Sequence, residues 1–144
     1  MNKTFGKKDD NISYFDREGA YIICMNNDFL AAVQTPKGYF LIGGGIEEGE
    51  DHLSCIKREC LEEIGCEVEN MSYICSADTY CIHEKIGGFH PIQHYYSGNI
   101  GEKVTQPSEI NHKFVWLPLS KIDQLFVESQ IWAVEKYIET KNNR

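Results

Sequence analysis

Between Gly43 and Cys66 the chain reads GGGIEEGEDHLSCIKRECLEEIGC. A glycine run leads into an acidic stretch and then into a segment with the period of a helix. Few conformations suit all three parts. Glycine lets backbone come close to other groups. Asp51 is placed to cap a helix and Gly65 to stop one, so the spacing predicts a helix running to about Ile64. At about 100° per residue, Leu53, Ile56, Cys60 and Ile64 fall on one stripe that must pack on a sheet. Glu59, Glu62 and Glu63 converge on a neighbouring face. Like charges at that spacing repel, so this is either an ordinary solvated face or a place for a cation.

The rest of the chain supplies strands for the helix to pack on. Residues 18–25 read as a strand, Asn26-Asn27-Asp28 as a turn, and FLAAVQT as the returning strand of a hairpin. Thr35–Gly38 is a second turn before the short strand YFLI. Residues 66–82 and 92–100 read as strands joined by a loop, HEKIGGFHP, and residues 114–117 as a further short strand. Pro118 introduces a brief helix over Ser120–Leu125. A last helix begins near Ser129, with Val127, Ile131, Val134 and Ile138 as its predicted buried stripe. Strands, a helix, more strands and a final helix predict an α/β protein with a mixed β-sheet and helices on both faces, in one domain over residues 1–144.

Charge and cysteine content narrow the function classes. The formal net charge is −8 and the pI about 5.1. Such a surface repels a duplex nucleic-acid backbone, so no duplex partner is expected, and a negatively charged small substrate would need a mediating cation. No apolar run is long enough for a membrane span, and the N-terminal MNKTFGKKDDN has no apolar stretch behind its positive charge. These features predict no membrane partner and a cytoplasmic location. The cysteines, at positions 24, 55, 60, 66, 75 and 81, form no C-x-x-C pair. They read as small buried hydrophobes in a reducing compartment.

Three carboxylates beside glycine backbone suit a hard divalent cation with oxygen ligands, Mg²⁺ above all. Arg58, the cation nearest the triplet in sequence, has a planar fork able to hold a carboxylate bidentately. An E-x-x-E-E helix alone is commonplace, but here the spacing fits G-x5-E-x7-R-E-U-x-E-E-x-G-U, with U an apolar residue. It runs through Gly44, Glu50, Arg58, Glu59, Cys60, Glu62, Glu63, Gly65 and Cys66. Seven identities at roughly one in fifteen each make a chance match on the order of one in a million. The run resembles the signature of the Nudix hydrolases, the MutT-like enzymes. Cysteine stands at both U positions. LIGGGIEEGE also looks like the family's L-P-G-G-x-I-E-x-G-E, with Ile42 in place of the common proline. NHKFVWLPL, residues 111–119, resembles the family's strand-and-Trp segment.

The resemblance implies a Nudix-type α/β/α sandwich and a metal-dependent pyrophosphohydrolase, one that cleaves a nucleoside diphosphate linked to another moiety; a nucleoside triphosphate, modified or not, is one such substrate. It implies Mg²⁺ or Mn²⁺ as cofactor. Carried over residue by residue, Glu59, Glu62 and Glu63 bind the metal with the backbone carbonyl of Gly43. Glu50 and Arg58 form a salt bridge that orients them. Glu62 or Glu59 is the expected general base, in preference to Glu63. Where some relatives have a late-loop His-Glu, this chain has His112-Lys113. That leaves Glu109 as the nearest substitute ligand and His112 as an exposed loop histidine. Ser129 and Gln130 lie where some relatives touch a nucleobase. Tyr80, Phe89, Tyr95 and Tyr96 are expected in the core rather than stacked on a base, and His83, His90 and His94 as solvated loop histidines.

Two other classes stay open. One is a catalytically silent Nudix module that binds a ligand as a sensor; the intact carboxylate triplet argues against it. The other is an acidic structural protein with incidental Ca²⁺ affinity; the glycine frame and Arg58 argue against that. The oligomeric state is left open, a homodimer included.

Overall fold

The computed structural model describes residues 2–143. Its strands are β1 (Asn2–Phe5), β2 (Tyr14–Ile23), β3 (Met25–Asn26), β4 (Phe29–Thr35), β5 (Gly38–Phe40), β6 (Ile42–Gly45), β7 (Cys66–Thr79), β8 (Cys81–His83), β9 (Gly87–Lys103) and β10 (Lys113–Pro118). Helix α1 spans His52–Ile64 and α2 Glu128–Asn142, with a 3₁₀ segment at Leu119–Gln124. No helix among the described residues is long and apolar enough to cross a membrane.

The strands form two sheets. The larger is mixed, in the order β1-β7-β9-β2-β6 with β8 beside β9. In it β2 pairs in parallel with β9 and antiparallel with β6. The smaller is antiparallel, β10-β4-β3 with β5 beside β4. Because alternate side chains of a strand point to opposite faces, single strands feed two cores. Ile22, Ala31 and Val33 pack with Cys55, Ile56, Cys60 and Ile64 of α1. Their neighbours Ile23, Leu30 and Ala32 pack with Ala133 and Val134 of α2. The helices therefore sit on opposite faces of the strands, the predicted α/β/α arrangement.

Helix α1 has the predicted ends. Asp51 caps it by accepting the Ser54 N–H at 2.7 Å, and Gly65 closes it with φ +71°, donating to the carbonyls of Cys60 and Leu61. Five cysteines are buried, Cys81 is exposed, and all are free thiols.

Several expectations need correction. Strand β1 has no counterpart among the expected elements; it is short and polar, and it is held by parallel pairing with β7. The predicted hairpin is only the corner Met25–Asn26 against β4, because the chain changes sheet at Cys24. The predicted loop 83–91 shrinks to a tight turn, since β9 begins at Gly87 and pairs with both β8 and β2. Leu53 of the α1 stripe is 38% exposed, and Cys55 is buried in its place. Of the predicted α2 stripe, Val134 is buried and Ile131 and Ile138 pack half-buried against the core, but Ser129, Gln130 and Ala133 are buried beside Val134 outside that stripe. The reason is polar: Gln130 Oε1 accepts the Leu41 N–H at 2.9 Å, and Ser129 Oγ donates to Gln93 Oε1 at 3.0 Å. Those bonds hold two polar side chains inside, which an apolar period does not reveal.

Gly65 is the position where backbone freedom matters most for the helix. A Cβ there would sit 2.1 Å from the Thr105 carbonyl oxygen, at a φ that side chains resist. Gly65→Ala is expected to lose about 2–6 kcal/mol of stability, from left-handed strain plus overpacking. Urea denaturation checks this; an unchanged midpoint would mean that the Thr105 segment simply moves aside.

Candidate active site

The site is built where β6 runs into α1. Strand β6 pairs with β2 through Tyr21↔Gly43, Ala20↔Gly44 and Gly19↔Gly45, and the following loop brings α1 back across it. Two close approaches need glycine. At Gly43, with φ +148°, a Cβ would stand 2.3 Å from the Ala20 carbonyl oxygen. At Gly44 a Cβ would stand 2.6 Å from Cδ of Glu59, so the Glu59 carboxylate lies directly on the glycine backbone.

Arg58 organises the acidic groups. Its Nε donates to Glu50 Oε2 at 2.6 Å and its Nη2 to Glu50 Oε1 at 3.0 Å, a bidentate fork. Nη2 also donates to the Gly45 carbonyl at 2.9 Å. Nη1 reaches Glu59 Oε1 at 2.8 Å and Glu62 Oε2 at 3.1 Å. One guanidinium thus ties the loop before α1 to two carboxylates on it. Its hydrogen bonds hold the Glu50 carboxyl down to about 2. Of the triplet, Glu62 is the most open and Glu63 the least: their side chains are 35% and 4% exposed.

Glu63 stands apart from this network. Its Oε2 is buried without a hydrogen-bond partner, and so is Nδ1 of His112, 3.9 Å away. Burial first, and then the Glu59 carboxyl beside it, push the Glu63 carboxyl far above the usual carboxylate range, with the Gly43 backbone acting in the opposite direction. An orphaned buried oxygen among further carboxylates is the environment a hard divalent cation relieves, so the residues fit such an ion.

A cavity of about 520 Å³ opens beside Glu63 and His112, with Tyr21, Phe40, Leu41 and Gln130 among its walls. Gln130 therefore faces the cavity, with its oxygen committed to Leu41. Ser129 does not line it; its hydroxyl is spent on Gln93 and lies 3.1 Å from the Tyr95 hydroxyl. Glu109 is exposed over the end of α1, where its N–H and that of Ser108 donate to the Glu62 carbonyl at 3.0 and 2.9 Å. His112 is not the exposed loop histidine predicted; the β10 approach turns it toward Glu63. His90 and His94 likewise lie in β9, bonded to Asp16 and Asp78 and to Glu18 respectively, while His83 is exposed. Tyr95 is in the core, as expected.

Sequence reading missed Tyr21 and Arg17. Tyr21 lines the cavity, and burial followed by the nearby Glu63 raises its phenol to about 12. The Arg17 guanidinium packs against Gly45, where a Cβ would meet Nη2 at 2.3 Å. Both lie on β2, whose pairing with β6 was not legible, so no local signal pointed to them.

A family model for the NUDIX domain matches residues 16–137. Among curated proteins, the chain is 35% identical over 97 residues to the NAD-capped RNA hydrolase NudC of Pseudomonas aeruginosa, covering 67% of this chain and 33% of that protein. It is 31% identical over 129 residues to NudC of Stutzerimonas stutzeri, covering 85% and 45%. The chain thus spans less than half the length of these relatives. Among solved structures, a NUDIX hydrolase from Nitrosomonas europaea superposes with a TM-score of 0.75 at 16% identity, covering 88% of this chain and 91% of that one. The E. coli ORF135 protein gives 0.71 at 18% identity, covering 91% and 94%. At these identities the two structures speak for the fold alone.

The electrostatics of Glu63 set a stability test. Its folded pKa is raised above an ordinary value near 4.5. Below that value the folded and unfolded chains both carry the proton, and nothing is lost. Above it the unfolded chain ionises more readily, so this group's contribution falls as pH rises. Glu63→Gln removes the penalty. In EDTA at neutral pH the variant is expected to melt no lower than wild type and up to about 2–8 °C higher, with the gap closing toward pH 4.5. Added Mg²⁺ should stabilise wild type more than the variant. Thermal scans across pH decide it; a variant that melts clearly lower at neutral pH would sink the reading.

Proposed function

The chain belongs to the Nudix family, and from that membership we propose that it is a metal-dependent pyrophosphohydrolase acting on a nucleoside diphosphate linked to another moiety. The observation that carries this reading is the buried, partnerless Glu63 oxygen beside an Arg58-braced pair of carboxylates at the wall of a cavity. We propose further that residues 1–144 form one such domain, that it works in the cytoplasm on a small nucleotide-type substrate, and that Mg²⁺ or Mn²⁺ is its cofactor.

Glu59, Glu62 and Glu63, with the Gly43 backbone carbonyl, would hold the cation. When bound, such an ion neutralises phosphate oxygens and lowers the pKa of a coordinated water. The chain's own part is positional. Arg58 keeps Glu59 and Glu62 in fixed directions, and Gly44 lets Glu59 lie against backbone. Each of the two candidate bases has one oxygen not engaged by Arg58, and Glu62 is the more open of the two. Glu62 is therefore the better placed to take a proton from an attacking water. Glu109, exposed above the helix end, is the candidate for an additional acid.

The cavity walls suggest how a base would be held. Tyr21 and Phe40 offer aromatic surface, and Gln130 offers its NH₂, since its oxygen is occupied. Ser129 supports this wall from behind rather than reaching the cavity. The names of the curated relatives suggest an NAD-type dinucleotide end for the test set, beside modified nucleoside triphosphates, nucleotide sugars and dinucleoside polyphosphates.

Phosphate-product release from that set, with Mg²⁺ and again with EDTA, tests the proposal. Metal-dependent cleavage of a pyrophosphate bond is the expected result. Tight nucleotide binding without turnover would instead mark a sensor module. Arg58→Lys should lower kcat/KM by about 10- to 100-fold, because an ammonium cannot reproduce the fork that sets the carboxylates; a fully active lysine variant would show that charge alone suffices.

A separate measurement concerns selectivity. Gln130→Ala should change the ratio of kcat/KM among nucleotides by about 1–3 kcal/mol, the scale of an unsatisfied buried partner. Ser129→Ala should lower every substrate by a common factor. If the two variants behave alike, Gln130 is a structural residue and the base is read elsewhere.

A further inference from the structure

The proposed mechanism leaves one group of metal-ligating side chains unused. Glu18, His52 and His94 each offer a ligand atom, and the three atoms lie within 4.8 Å of one another. They come from separate elements: Glu18 from β2, His94 from β9 and His52 from the first turn of α1. Their convergence follows from the sheet. In the parallel β2–β9 pairing His94 lies beside Ala20, and Ala20 packs in the core under α1. Glu18, two residues from Ala20, shares that face, and α1 begins directly above it.

Local contacts hold the three side chains together. His94 Nε2 is 2.9 Å from Glu18 Oε1. The His52 and His94 rings stack with centroids 4.1 Å apart. His52 Nδ1 is 2.8 Å from the Tyr96 hydroxyl, which fixes the ring's orientation and leaves Nε2 free. An outer partner on the far ring nitrogen is what metal-binding histidines commonly have. Burial also favours the neutral, ligating form of His52. Donors on one tetrahedral zinc ion stand about 3.3 Å apart, given bonds of about 2.0 Å; to reach that spacing the stacked imidazole rings would turn apart so that a nitrogen of each faces the ion. The donor type separates this group from the glutamate triplet. Imidazole with one carboxylate suits Zn²⁺, Co²⁺, Ni²⁺ or Cu²⁺, whereas carboxylates alone suit Mg²⁺ and Mn²⁺. His52 and Glu59 are also about 10 Å apart along the helix axis.

We propose that Glu18, His52 and His94 form a second metal site, for a zinc-class divalent cation, that ties the start of α1 to strands β2 and β9. Three protein ligands leave a fourth position for water. Occupancy would brace the helix that carries the acidic cluster from its opposite end.

Cobalt titration of the whole chain is the test, because tetrahedral Co²⁺ with nitrogen ligands absorbs far more strongly in the visible than octahedral Co²⁺. To silence the triplet, the titration is repeated in Glu62→Gln/Glu63→Gln. The expected result is a strong visible band saturating at one equivalent in both proteins. Zn²⁺ should displace it, excess Mg²⁺ should leave it intact, and the ion should raise the melting temperature. His94→Gln and His52→Gln should abolish the band. Glu18→Gln, at a side chain that is 57% exposed, should weaken the affinity. Tyr96→Phe should weaken it about 10- to 100-fold while leaving the band shape unchanged. A weak octahedral spectrum in wild type, a band that survives Glu18→Gln and Tyr96→Phe at full affinity, or one lost with the triplet would each overturn the proposal.

Discussion

Everything at this site depends on one guanidinium. Glutamates gathered on a helix face repel, and without a counterion the cheapest response is to splay into solvent. Arg58 prevents this by spending its donors in several directions at once: on Glu50 before the helix, on Glu59 and Glu62 along it, and on the Gly45 carbonyl beneath. A lysine carries the same charge but has no plane to divide among these partners. The fork therefore fixes direction as well as sign, and it joins the loop's acid to the helix's acids. Glu63 is left outside that arrangement and buried, so the balance of charge remains incomplete at one oxygen.

Backbone without side chains makes the arrangement possible. The strand below α1 presents Gly44 to Glu59 and Gly45 to Arg17, so a carboxylate and a guanidinium each lie within reach of main chain that a Cβ would have screened. The same strand is anchored by its pairing with β2. Close approach and rigidity thus come from one element, and the helix above can hold its charges without the floor moving.

Much of this was legible in local spacing. Asp51, Gly65 and the carboxylate triplet announce a capped helix with an acidic face because helix caps and i, i+3, i+4 relations lie within a few residues of one another. The order of strands and helices gave the layered class. What escaped was set by partners distant in sequence. The sheet change at Cys24, the extension of β9 back to Gly87, and the place of Arg17 and Tyr21 all depend on which strands lie side by side. The polar part of the buried α2 face escaped for another reason. Ser129 and Gln130 are polar, and only their particular acceptors and donors, Gln93 and Leu41, make burial tolerable. His112 is similar: its neighbour Glu63 is 49 positions away, and nothing beside it in the chain marks it as inward-facing.

The parallel pairing of β2 with β9 has a consequence for how the molecule assembles. It joins Asp16 to His90 and Ala20 to His94, partners 74 positions apart. Contacts of such separation close large loops before they are rewarded, and they slow folding. The Arg58–Glu50 contact spans only 8 positions, and the capped α1 is more local still. The acidic helix and its brace are thus of low contact order, while the sheet beneath them is of high contact order. The expected order of events has the charged helix forming and fraying repeatedly, with the late closure of β2 onto β9 as the step that commits the chain.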